Sequence, residues 1–212
     1  MPEVPVSLDG ATIFLFTLRW FHFIFGITWI GLLYFFNFVN GPFAKTMDAD
    51  TKKKVVPQLM PRALWWFRWG AMITFLTGWT YIGAKQHLNG ASMFGSDGLL
   101  STTWGQWITL GATLGSIMWF NVWFIIWPAQ KKLITWTKKG EAPPEMAGLA
   151  KKAMLASRLN TYLSFPMLFC MGAASHLPIP VNLPWVIGMA VISIALVWHL
   201  VNKVAGKVGA NF

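Results

Sequence analysis

The chain has 212 residues, 55% of them hydrophobic and 11% charged, with 14 Trp, 17 Phe and a formal net charge of +10. A soluble domain carries about 25% charged residues, so this composition points to a surface that faces lipid. The basic residues lie in particular loops without the aromatic interleaving of a nucleic-acid module. The single cysteine, Cys170, excludes an internal disulfide framework, a CxxC metal site, an iron–sulfur cluster and a CxxCH haem-attachment site.

Residues 1–10 hold two prolines and two acids. They read as a short extracytoplasmic lead, and the acidic start with a long apolar run after it argues against a cleavable signal. The first helix is expected over about 11–39. From Trp20 to Val39 it carries no formal charge, and about 20 such residues cross a hydrocarbon core of roughly 30 Å. Asn40, Gly41 and Pro42 are expected to end it. A lysine-bearing loop, 44–61, leads through RALWWFR, where Trp and Arg favour the headgroup level, into a second helix over about 69–84.

The nearly neutral loop 85–103 precedes a third helix over about 104–127, expected to stop at Pro128. Residues 131–158 are the most polar stretch, with three Lys–Lys pairs and a Pro143–Pro144 break. A fourth helix is expected over about 154–175, with Pro166 as a kink, and a fifth over about 185–204. Lysine and arginine concentrate in the first loop, the third loop and the tail. The positive-inside rule then puts the N-terminus outside and the C-terminus in the cytoplasm, which requires an odd number of spans. The expectation is an all-α polytopic bundle: one membrane domain over 1–212, with five transmembrane helices.

Arg19 and His22 lie three apart and share a helix face, and ionisable groups at membrane depth are costly and usually functional or paired. His22, His87 and His176 gather toward one membrane face by topology, while His199 lies deeper. Haem b needs one or two axial histidines and cationic groups for its propionates. His22 and His176 are the candidate ligands of the haem iron, with Arg19 one turn outward to reach a propionate. The plainer alternatives are that each histidine bonds between helices and that Arg19 snorkels outward, as Arg68 and Arg158 are expected to do. Asn121, Asn160 and Tyr162 read as polar contacts between helices, and Gly111 with Gly115 as a close-packing pair. Most tryptophans fall at span boundaries as an aromatic belt; Trp29, Trp119 and Trp123 sit deeper. No predicted span holds Asp or Glu, which argues against an ion-coupled transporter.

RWFHFIFGITWIG (19–31), YFFNF (34–38), WWFRW (65–69), NVWFIIWPAQKK (121–132) and RLNTYLSFPMLFCM (158–171) occur in this order. Together they resemble the urate oxidase N-terminal membrane domain family, which includes bacterial membrane-bound urate hydroxylases, over residues 19 to about 178. The resemblance implies that Arg19 with His22, and His176 with Pro178, occupy recurring positions of that family. The urate enzyme it resembles carries a cytochrome c domain, for which this sequence has no CxxCH. A weaker similarity is to small membrane proteins of haem-linked protoporphyrinogen oxidation, whose pattern lacks the PAQ and LNTYLSFP segments. Three functions follow as expectations for a multi-pass protein of the bacterial cytoplasmic membrane. The first is a haem b redox module relaying electrons within a larger complex, to a separate cytochrome c or a quinone. The second is a cofactor-free accessory subunit of a bioenergetic complex, and the third is oxidation of urate or another small reductant.

Overall fold

The computed structural model describes residues 9–208; most of the N-terminal lead and the last four residues of the tail lie outside them. Five long helical rods account for most of the described chain: α1 (Gly10–Thr46), α2 (Ala49–Leu88), α3 (Thr103–Lys139), α4 (Met146–His176) and α5 (Leu183–Val204). Among the described residues there is no β-strand. By length and composition α1, α3 and α5 are apolar enough to cross a membrane. Helices α2 and α4 carry the lysines of the polar loops on their first turns, which dilutes their hydropathy.

The rods run further than the sequence suggests. Pro42 and Pro128 were read as stops, yet each follows a π-helical turn, Phe35–Asn40 in α1 and Asn121–Ile126 in α3, and the helix continues to Thr46 and Lys139. A proline removes one donor from the ladder, and a local shift to i→i+5 bonding re-satisfies the freed groups. In α2 the helix passes through Pro57 and Pro61, so the expected loop 44–61 is largely helical. The carbonyls those prolines orphan belong to Lys53 and Pro57, at the basic, water-facing end. Helix α4 also begins earlier, at Met146, and runs through Pro166.

Four starts are capped by side chains, that of α5 by Asn182 Oδ1, which accepts from Trp185 N at 3.2 Å. Asp9 Oδ1 accepts from Thr12 N at 2.7 Å, Asp48 Oδ1 from Thr51 N at 2.9 Å and Thr102 Oγ1 from Gly105 N at 3.0 Å. Bonding to the Thr51 backbone and hydroxyl holds the Asp48 carboxyl below its ordinary range.

Helix α1 lies along α2, and α3 lies along α4, with α5 against α4 and the C-terminal part of α3 against α2. Trp29 and Leu33 of α1, Leu64 and Phe67 of α2, Met118 and Val122 of α3 and Met167 of α4 fill one core. A smaller core joins Trp107, Cys170 and Met189. Gly70 lets α1 and α2 close up: a Cβ there would stand 3.3 Å from Phe25 O. Gly111 does the same between α3 and α4, where a Cβ would meet Cys170 Cβ at 3.0 Å; Gly115 has ordinary room beside Met167. A buried amide pair crosses the same seam. Asn121 Nδ2 donates to Asn160 Oδ1 at 2.8 Å, and Asn160 Nδ2 donates to Met118 O at 2.9 Å. The core is held by apolar packing and hydrogen bonds; among the described residues the only ion pair, Lys139–Glu141 at 3.6 Å, is exposed.

Candidate functional site

On α1 the residues Arg19, His22, Gly26 and Trp29 recur at helical spacing and face α2. On α2 the facing residues are Thr74, Thr77, Gly78, Tyr81 and Lys85, also one stripe. His22 lies half-buried in this seam, with Nδ1 2.9 Å from Thr74 O and 3.4 Å from Thr77 Oγ1. A carbonyl oxygen can only accept, so Nδ1 carries the proton and the neutral ring keeps its lone pair on Nε2. Among the described residues Nε2 has no hydrogen-bond partner; the contacts are made by Nδ1. The ring fits because residue 78 is glycine: a Cβ there would lie 3.0 Å from His22 Cε1.

One turn outward, the Arg19 guanidinium donates to Tyr81 Oη and lies 5.0 Å from the centre of that ring. Lys85 follows at the end of α2, its Nζ 3.7 Å from the centre of the Trp104 ring. Burial, and then the positive charge of Arg19, hold the Lys85 ammonium below the ordinary lysine range. Of the 17 lysines and arginines, the rest fall on the loops and helix halves at the other end of the rods. The two exceptions converge on the face that holds His22.

The other sequence candidates are elsewhere. His176 ends α4 and is exposed. The neighbours there are α3 and α5: Trp107 Nε1 donates to Ile179 O at 2.9 Å, and Cys170 Sγ is 3.8 Å from Met189 Sδ. His87 and His199 are also exposed. Trp29, Trp119 and Trp123 pack on neighbouring side chains, Trp119 stacked on Phe75 at 4.3 Å and Trp123 against Trp69 at 5.6 Å. Arg68 does not simply snorkel, for its guanidinium is stacked 4.0 Å from Trp127 and 5.1 Å from Trp123.

Sequence reading found Arg19 and His22 but missed the α2 half of the site. The signal was there, in Thr74, Thr77, Gly78, Tyr81 and Lys85, spaced as one face of a helix. Hydroxyls in an apolar helix attract less notice than a lone imidazole because each can bond its own preceding turn, as Thr74 does to Gly70 O at 2.7 Å.

The donor set suits one axial bond to a haem iron. A histidine whose Nδ1–H is fixed by a backbone carbonyl, with Nε2 free, is the common arrangement for a metal-bound imidazole. Two cations on the same face suit its carboxylates. Among the described residues no cluster of three or more His, Cys, Asp or Glu is placed to hold a bare metal ion.

Among the described residues the chain is a helix bundle whose three apolar rods are long enough to cross a bilayer, with a polar seam between its first two helices, which points to a membrane protein. It belongs to the urate oxidase N-terminal family, whose profile matches residues 87–208, more than half of the chain. No curated protein and no solved structure matches it. The matched stretch contains His87, His176 and His199. It leaves out Arg19 and His22, so the case for His22 rests on its geometry.

Proposed function

We propose that this chain is a redox subunit of a bacterial cytoplasmic membrane complex, crossing the bilayer five times and holding haem b through His22. The observation that carries the reading is the His22 ring, its Nδ1 committed to the Thr74 carbonyl and its Nε2 left free, on the face where the two off-side cations meet. When bound, haem supplies a one-electron iron couple. The chain's own residues do the rest. Thr74 fixes the tautomer and the ring plane, Gly78 admits the ring, Arg19 and Lys85 offset the carboxylates, and Tyr81 orients Arg19. His176, at the end of α4 between α3 and α5, is not required as a second ligand.

The distribution of basic residues supports an N-terminus outside and a C-terminus in the cytoplasm. Helices α2 and α4 would then cross with their basic first turns at the cytoplasmic headgroups. Electrons would pass to a separate subunit, a cytochrome c or a quinone.

A reduced-minus-oxidised spectrum with haem extraction tests the proposal. Stoichiometric haem b is expected in protein purified from membranes, with at least a tenfold loss of haem per chain in His22→Ala and none in His176→Ala. Wild-type protein free of haem would overturn it and leave the cofactor-free accessory subunit.

A further inference from the structure

At the opposite end from His22 the four longest helices line a half-open cavity of about 180 Å³. Asn37 lies fifteen residues beyond His22 (37 − 22), about 22 Å along α1 at 1.5 Å per residue. The lining combines flat apolar faces with amides. Phe36 and Phe67, packed edge to face at 5.3 Å, form one wall, and Asn40, Gln130 and Ser157 bring polar groups. Both adjoining π-helical turns contribute: Phe36, Asn37 and Asn40 come from the first, and Ile126 ends the second. Such turns occur frequently at functional sites.

Two amides here have donor capacity to spare. Asn40 Nδ2 donates only to the thioether of Met60, at 3.5 Å, and thioether sulfur is a weak acceptor. Gln130 lines the cavity, and among the described residues its side chain has no hydrogen-bond partner. The Asn37 amide, by contrast, is committed to Leu33 O and Ser157 Oγ, both at 2.9 Å. No charged side chain lines the space, so an anion such as a phosphate or a carboxylate would be desolvated there without a counter-charge. An apolar cavity of roughly 150 Å³ holds benzene, so this one has room for a single substituted six-membered ring. Met154, 48% exposed, forms part of the wall, so the cavity opens there to the outside of the bundle beside the exposed Leu155.

We infer that this cavity binds the head ring of a lipid-soluble quinone. Its ring lies against Phe36 and Phe67, its carbonyl oxygens accept from Asn40 Nδ2 and Gln130 Nε2, and its tail leaves past Met154. The inference stands on the cavity alone and does not depend on haem at His22.

The test is titration of the purified full chain in nanodiscs with decylubiquinone, read by calorimetry. Saturable binding is expected. Gln130→Met keeps the side-chain volume and removes the donors, and together with Asn40→Leu it should weaken binding at least tenfold. Ala153→Leu fills the cavity from α4 and should weaken binding without touching either amide. Haem content should be the same in all of these, and His22→Ala should bind the quinone like the wild type. Absence of saturable binding to the wild type overturns the inference. So does unchanged affinity in the substituted chains when they elute and show circular dichroism like the wild type. Loss of binding in a folded His22→Ala chain would put the ring at the other end and overturn it equally.

Discussion

Arg68 illustrates how a cation is accommodated here without a carboxylate. Its guanidinium lies 4.0, 5.1 and 5.7 Å from the ring centres of Trp127, Trp123 and Trp69. A flat, weakly hydrated guanidinium stacks on indole faces, whereas an ammonium is a compact, strongly hydrated point charge. Arg68→Lys is therefore expected to destabilise the protein by about 1–2 kcal/mol, seen as a lower midpoint in thermal or SDS unfolding. An unchanged midpoint would reduce the Trp cage to incidental contact. Arg68 was read from sequence as a snorkelling residue because the α3 tryptophans that stack on it lie more than fifty positions away in the chain.

At the scale of elements, close packing and hydrogen bonds between helices together hold the bundle. The Asn121–Asn160 pair ties α3 to α4 where Gly111 has already brought them close. Asn160→Leu would leave the Asn121 side-chain amide without its partner and remove the side-chain donor to the Met118 carbonyl, which keeps the Asn121 backbone N–H. Interhelical bonds in membranes average about 0.6 kcal/mol and reach about 1.7, so a loss of ~1–2 kcal/mol in SDS unfolding is expected. The first turn of α2 has a different dependence. Asp48 is held below its ordinary carboxylate range by bonding to Thr51, so its cap is fully present above that range and is lost as pH falls through the lowered value. Amide exchange at Thr51, corrected for its intrinsic pH dependence, should therefore lose protection only under acid conditions, and in Asp48→Ala at every pH.

Across the whole molecule, the all-helical class and the family were legible in the sequence because both rest on composition and on ordered local motifs. The ends of the rods were not. Pro42, Pro57, Pro61 and Pro128 carry a local signal to stop, and the helix continues where a π turn or a solvated end satisfies the freed carbonyls. The His22 face was half legible: Arg19 and His22 are near in sequence, but Thr74, Gly78 and Tyr81 reach them only through packing of α1 on α2. The five-crossing arrangement can be checked by thiol labelling, since Cys170 is fully buried. In a Cys170→Ala background, Ser96→Cys should react with an impermeant maleimide from outside the cell, and Lys138→Cys only after permeabilisation. Both reacting from the same side would defeat the arrangement.

The π turns have one further consequence. Each contains one residue beyond the ordinary α repeat, and an α-helix rotates about 100° per residue, so every side chain beyond the turn is displaced around the axis. Deleting a single codon within 35–40 would let the rod close into a regular α repeat with Gly41 and Lys45 near their present azimuth, whereas an uninterrupted α-helix of the same length would swing them around the axis. The cavity wall is thus phased by the π turn, and a one-residue deletion in the regular helix beside it, which nothing absorbs, should be far more damaging than one within it.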